Sequence, residues 1–473
     1  MSRAANLGSL LMQHPFGDDE PLLLTLDRSV TAGEARAQAS AVAARLTAAG
    51  IRAGQAVAVQ IPNGPEAVTA MVGTWLAGCV FVPLNPRAPA PEVARVLELT
   101  GVAARLTPRG LERLDGDRVY DDGTGFVLWT SGTTGAPKAI LHRHDTYVEL
   151  LDRVLGSLRQ PGAAAHRPAP NLIPVSLAQN AGIYNTLFGL RAGAAVVIMD
   201  RFETATFAAL VARFAIRSTV LPPPAIAMLN DDPDLADLTP LRYVRSITAP
   251  LSPLQARRFT EKFGVFVLNG YGQAEIGEVI GWTAGDARSH PDKIGAVGRP
   301  HAGVDLRIVE SDGSAVAEGT VGRLLVRPPN RAVGYVGGGD LDDRVDLEGF
   351  VDTGDLARID AEGFVWIEGR AGEVINRGGN KVFPAEVEEV LRLSPEVTDA
   401  AVVGVPDDRL GEVPVAFVTG KEVAAAELEA RCRAHLAPYK VPVAFRHVEH
   451  LPRNEAGKVL RRDLVALLGD PTP

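Results

Sequence analysis

Between Ala67 and Leu84 the sequence reads AVTAMVGTWLAGCVFVPL, 18 residues without a charge, and this run decides between two incompatible kinds of fold. A stretch of that length stands at the lower limit for crossing a bilayer. Gly73 and Gly78 interrupt it, however, and Gly78 followed by CVFVPL reads as a helix stop and then a short buried strand. The run is therefore expected to be a helix–strand unit of a core, and no membrane span is expected.

The flanking sequence repeats this alternation. Ala56–Ile61 and Val80–Leu84 are strand-like, and Glu34–Gly50 is Ala-rich and helical, with Thr31 and Glu34 spaced as a capping box and Gly50 as its stop. Ala194–Met199 reads as a strand, Thr206–Phe214 as a helix and Ser218–Leu221 as a strand. This is α/β architecture. Beyond residue 300 the style changes: VDLRIVE, GRLLVR and GFVWIEGR are short alternating strands between Gly, Asp and Pro turns. Pro384–Leu393 and Leu460–Leu468 read as helices, the latter with Leu460, Leu464, Leu467 and Leu468 on one apolar face. The expected fold is a large N-terminal α/β domain of several subdomains, with mixed sheets and helices, followed by a small C-terminal α+β domain. The low-complexity spots VGGGD at 336–340 and GAAAH at 162–166 read as loops.

With 473 residues, 46% hydrophobic and 22% charged, the chain can bury a large core in more than one unit. Its net charge of −9 disfavours nucleic acid or anionic membrane as a main partner. Cys79 and Cys432 cannot build a disulfide framework or a zinc site, and a reducing cytoplasm fits them. Near the N-terminus only Leu10 to Met12 form an apolar patch, too little for a secretory signal.

The most informative segment for chemistry is FVLWTSGTTGAPKAILH, Phe126 to His142. A strand-like run opens into Ser131, Gly132, Thr133, Thr134, Gly135, Ala136, Pro137 and Lys138, and a second apolar run follows. Glycines let main-chain N–H groups approach a polyphosphate, hydroxyls add donors and the lysine adds charge. It is not a Walker A loop, because Pro137 stands where that motif needs its second glycine. Taken alone, such a segment is equally a Ser/Thr/Gly turn.

SGTTGAPK resembles the phosphate loop of the adenylate-forming superfamily, which comprises acyl-CoA synthetases, peptide-synthetase adenylation domains and luciferases. The resemblance recurs in order along most of the chain, in Trp75 to Leu84, Tyr271 to Glu275 (YGQAE), Asp352 to Asp355 (DTGD), Gly369–Arg370 with the run from Arg377 to Pro384 and Glu386, and Pro452 to Lys458 (PRNEAGK). It implies ATP, Mg2+ and coenzyme A as cofactor and co-substrates, a carboxylic acid as substrate and acyl-CoA as product. Tyr271 is implied to stack on the adenine and Glu275 to hold the magnesium. Gly272, Gln273, Thr248, Ala249 and Pro250 are implied around the nucleotide. Asp355, read as following a tight turn at an exposed cleft, is implied at the ribose, with Arg370 beside it. Lys458, on a mobile C-terminal domain of residues 371–473 that follows an N-terminal domain of residues 1–370, is implied to be catalytic together with Glu275. Gly372 is implied as the hinge, and Gly378 and Gly379 as a thiol-side loop.

Four positions depart from the family pattern. Ala139 replaces a glycine, which matters only if the backbone there needs φ > 0. Ala274 replaces a threonine that in the family bonds the α-phosphate, leaving Gln273 as a substitute donor. Asn171–Leu187, where relatives usually carry a histidine or aromatic that gates the acyl channel, has no histidine, and Gly372 replaces the usual Asp or Lys. By position, Gln179, Asn180, Ile183, Tyr184 and Ile276, with Thr248, line the acyl pocket, and their uncharged character implies an apolar fatty or aryl acid. Two other readings stay open: an adenylation enzyme loading a separate acyl carrier protein, and a non-catalytic nucleotide-binding protein.

Overall fold

The computed structural model describes residues 6–130, 138–158, 167–332, 334–336, 341–453 and 458–468. The uncharged run becomes the helix Pro65–Leu76, then Gly78 in the left-handed region at φ 73°, then the strand Val80–Pro83. No helix among the described residues is long and apolar enough to cross a membrane. The patch near the N-terminus is the short helix Ser9–Met12, whose Leu10 and Leu11 are buried. Upstream of the run lies the helix Ala32–Ala48. Thr31 accepts from the Glu34 amide while Glu34 accepts from the Thr31 amide, which satisfies two of the orphan donors at that helix start.

These two helices cross at Gly73, where an added β-carbon would stand 2.6 Å from both the Ala39 carbonyl and the Val42 β-carbon. Gly73→Ala is therefore expected to force the helices apart and cost about 1–3 kcal/mol, read as a lower urea midpoint with an unchanged slope. Trp75, fully buried two residues further on, donates its indole N–H to the Gly125 carbonyl at 2.7 Å and so ties this layer to the next sheet.

Among the described residues four sheets form. The largest has nine strands; its parallel centre runs through Val196–Ile198, Asn171–Ile173, Ser218–Val220, Tyr243–Ser246 and Phe266–Gln273 and is flanked by antiparallel strands, Gly277–Gly281 among them. A seven-stranded sheet carries Ala56–Val59, Val80–Pro83, Thr124–Thr130 and Lys138–Arg143. One core draws on both sheets and includes Trp75, Phe126, Phe207, Phe259 and Cys79. Asp305–Val309, Gly322–Arg327, Val351–Ile359 and Val365–Arg370 make a four-stranded antiparallel sheet. The chain from Ile375 onward builds a five-stranded sheet with its own core of Val387, Leu391, Val402, Leu428 and Cys432. This is the mixed α/β body and small α+β unit that the alternation predicts.

Two local expectations need correction. The last helix spans Arg461–Ala466, and of the four leucines only Leu464 is fully buried, while Leu460 is 36% and Leu467 62% exposed. Leu460 is the N-cap at φ −89°, ψ 84°, outside the helical period, so a single apolar stripe never forms. Asp352 to Asp355 is a bulge inside the strand Val351–Ile359 rather than a turn, with Gly354 at φ 72° where the register against Gly322–Arg327 shifts. The loop expected at 162–166 lies outside the described residues; of the one expected at 336–340 only Val336, a buried turn residue, is described.

Candidate active site

The bulge aims Asp355 into a cleft of about 2090 Å³ lined by the nine-stranded sheet, the four-stranded sheet and the C-terminal unit. Asp355 is only 4% exposed, so the expectation of an exposed cleft aspartate is corrected. Its carboxylate accepts the Tyr271 hydroxyl at 2.5 Å and the Gln273 amide at 2.9 Å, and pairs with Arg370 at 2.9 Å. Asp355 and Arg370 are register partners in adjacent strands, which brings the two together. Burial, and then the neighbouring Asp355 charge, push the Tyr271 phenol well above its ordinary range, so it stays a hydrogen-bond donor. The Gln273 amide also donates to the Thr353 carbonyl and the Tyr271 hydroxyl while its oxygen accepts from Arg344, so it is already spent around Asp355 and does not replace the hydroxyl missing at Ala274.

Glu275, 8% exposed, lies two residues past the end of the strand Phe266–Gln273. Its carboxylate accepts from the Tyr335 hydroxyl at 3.1 Å and lies 3.4 Å from Arg344. One carboxylate beside a cleft that admits phosphates is the donor set magnesium takes, since that ion keeps substrate oxygens and waters for its other positions. No cluster of three or more His, Cys, Asp or Glu side chains that could hold a metal occurs among the described residues, and this arrangement needs none.

Lys458 faces the same cleft from the C-terminal unit. Burial and the charge of Arg370 hold its ammonium below the ordinary lysine range, opposed by Asp355, Glu275 and Glu373. Gly378 and Gly379 instead form the exposed tip of the hairpin Ile375–Arg377 and Asn380–Val382, outside the cleft lining. Gly372 lies in a short 3-10 turn with open space around it.

Ser131, Gly132, Thr133, Thr134 and Gly135 lie outside the described residues, and Lys138 begins the strand Lys138–Arg143. Ala139 has ordinary strand geometry, and its methyl group is buried, so the lost glycine costs nothing there. Thr248, Ala249, Pro250, Gly272, Gln179, Asn180, Tyr184 and Ile276 line the cleft. Thr248 sits at φ 82°, a rare conformation for a β-branched residue and a mark of local strain. Ile183 does not reach the cleft: it is fully buried in the main core, because the helix Asn180–Ala192 turns its Tyr184 and Phe188 side outward. The segment lacks a histidine, yet Tyr184 supplies an aromatic ring at the cleft, packed on Phe188 at 6.1 Å. Sequence reasoning missed Arg344 and Tyr335 beside Glu275, and a group formed by Arg245, Glu278 and His301.

Residues 15–123 and 116–336 match the model of the AMP-binding enzyme family, and residues 386–458 match that of the AMP-binding enzyme C-terminal domain. The chain belongs to the AMP-binding enzymes. Similar curated proteins include the sulfoacetate–CoA ligase of Cupriavidus necator, 31% identical over 94% of each chain, and the indoleacetate–CoA ligase of Aromatoleum aromaticum, 31% identical over 91% of this chain and 92% of that one. Among solved structures, o-succinylbenzoate CoA synthetase from Bacillus subtilis with its acyl-adenylate intermediate superposes with a TM-score of 0.86 at 26% identity, covering 98% of each chain. This AMP-binding enzyme is an acid–thiol ligase: it activates a carboxylic acid with ATP to acyl-AMP and transfers the acyl group to CoA.

Proposed function

We propose that the acid has an apolar fatty or aryl body and that Lys458, Glu275, Asp355 and Arg370 divide the work of its adenylation. The observation that carries this reading is the convergence of Lys458 on the cleft that holds the other three. Carboxylate attack on ATP brings like charges together, and a fixed ammonium where they meet favours the transition state over the ground state. Asp355, held by Tyr271, Gln273 and Arg370, is oriented to accept from ribose hydroxyls. Magnesium at Glu275, when bound, would neutralise phosphate charge.

The second step needs a different face of the C-terminal unit. We divide the chain after residue 370 and place the hinge at Gly372, about which the unit turns to exchange Lys458 for the Gly378–Gly379 tip. The open surroundings of Gly372 support this reading. Two buried, unlinked thiols fit a reducing cytoplasm, and a role in fatty-acid metabolism follows if the acid is a fatty one.

Exchange of labelled pyrophosphate into ATP, dependent on added acid, tests the first half-reaction; thioester formation on free CoA against a carrier protein tests the acceptor. Absence of exchange with every fatty and aryl acid tried would remove the ligase reading. Glu275→Gln is expected to lower exchange about tenfold or more, because a charged ligand is lost, while pre-made acyl-AMP is still converted to thioester.

A further inference from the structure

The end of the cleft beyond Tyr184 is not apolar. Arg245 on the strand Tyr243–Ser246 gives its Nη1 to Glu278 on Gly277–Gly281, 3.0 Å and 3.2 Å from the two carboxylate oxygens, and His301 Nε2 stands 3.4 Å from Glu278 Oε1. The strand Phe266–Gln273 lies between the first two, so the pair reaches across it. It can do so only because that stretch of the sheet is bare. A β-carbon at Gly270 would stand 2.8 Å from Glu278 Oε1, and one at Gly281 would stand 2.9 Å from Glu278 Oε1 and 2.9 Å from His301 Cε1. Two glycines on adjacent strands thus cradle three polar side chains, all of which line the cleft.

Donors are in surplus there. Among the described residues Arg245 offers only Nη1 to a protein acceptor, and its Nε and Nη2 have none. The Tyr184 hydroxyl has no hydrogen-bond partner among them, and Arg153, in electrostatic reach of Tyr184, makes no ion pair. Burial alone would raise the Glu278 carboxyl, but Arg245 and His301 outweigh it and hold it below the ordinary range, so Glu278 is charged and balances one arginine of the two. A group entering this end of the cleft meets the unused face of Arg245, Arg153 with the Glu149 charge in reach but no ion pair among the described residues, and a phenol. Tyr184, Phe188, Ile247 and Ile276 make the approach apolar.

We propose that this is a specificity subsite for a second oxyanion, so that the acid activated by this enzyme carries an apolar or aryl body with a carboxylate or sulfonate at its far end. The proposal rests on the ligase reading above and adds the substrate class to it. Arg245, through its free Nε and Nη2, and Arg153 are the groups that bind, and Glu278 tempers Arg245 by sharing its charge. A merely structural ion pair would treat both partners alike; a binding subsite predicts opposite effects for the two.

The test is acid-dependent ATP–pyrophosphate exchange by the full-length protein with three length-matched series: an aryl or straight-chain monoacid, the same body with a terminal carboxylate or sulfonate, and the same body with a terminal ammonium. The doubly anionic acids are expected to exceed their monoacids in kcat/KM by at least about tenfold, the scale of one hydrogen bond to a charged group. Arg245→Met should cut that preference at least about threefold and Arg153→Met/Arg245→Met should erase it, whereas Glu278→Gln should strengthen it. Should Arg245→Met fail to fold, the wild-type series still decides, and Arg245→Met/Glu278→Met removes both charges together. Preference for the monoacid or the ammonium series overturns the subsite alone. Exchange with none of the three overturns the ligase reading and the subsite with it.

Discussion

Lys458→Ala is expected to lower acyl-adenylate formation at least about a hundredfold, the scale on which one preorganised charge is missed in a transition state. Thioester formation from pre-made acyl-AMP and CoA should stay near the wild-type rate, because that step bypasses the meeting of carboxylate and ATP. The structure adds a pH signature. Burial and Arg370 depress the Lys458 ammonium, and only the protonated amine supplies the charge, so adenylation should fall as pH rises through a pKa below that of an ordinary lysine. Lys458→Arg, which cannot lose its proton in this range, should flatten that alkaline limb even if its absolute rate is lower. Measuring both half-reactions of each variant against pH separates the effects. Equal impairment of the two would show that the C-terminal unit does not exchange faces between steps, and impairment of neither would make the presence of Lys458 in the cleft incidental.

The second large effect is expected at Asp355. Because its carboxylate is buried and gathers Tyr271, Gln273 and Arg370, Asp355→Ala should weaken ATP use and also cost about 3 kcal/mol of stability, by leaving a partly buried guanidinium and a buried phenol without their partner. Asp355→Asn keeps an acceptor for Tyr271 and removes only the charge, so it should raise the ATP Michaelis constant with a smaller loss in urea midpoint. An Asp355→Ala protein that keeps the wild-type Michaelis constant and turnover would take Asp355 out of the nucleotide site.

What could be read in advance follows the range of the interactions. The Thr31–Glu34 capping box spans three residues and is visible as letters, and the helix–strand unit around Gly78 announces itself by its missing charges. Asp355 and Arg370 were found through short motifs, although their direct pairing comes from strand register. Arg245, Glu278 and His301 left no such trace. They are dozens of residues apart, and their meeting depends on the strand Phe266–Gln273 lying between two partners and presenting Gly270 where any side chain would collide. A glycine within a strand reads as a bulge or a weakness, not as floor space for a neighbour's carboxylate. Ile183 erred for the opposite reason: position in a motif places a residue on the right helix, but one residue's step along that helix separates cleft from core.

The burial of both cysteines bears on how the enzyme treats its own product. Cys79 lies in the main core and Cys432 in the core of the C-terminal unit, and burial pushes each thiol up to about 11. A mixed anhydride such as acyl-AMP acylates thiolates readily, so a reactive cysteine near the cleft would divert it onto the protein. This chain offers it none. Neither protein thiol competes with the incoming CoA for the acyl group, and a dye that titrates free sulfhydryls should count CoA consumed against little protein background until the chain unfolds.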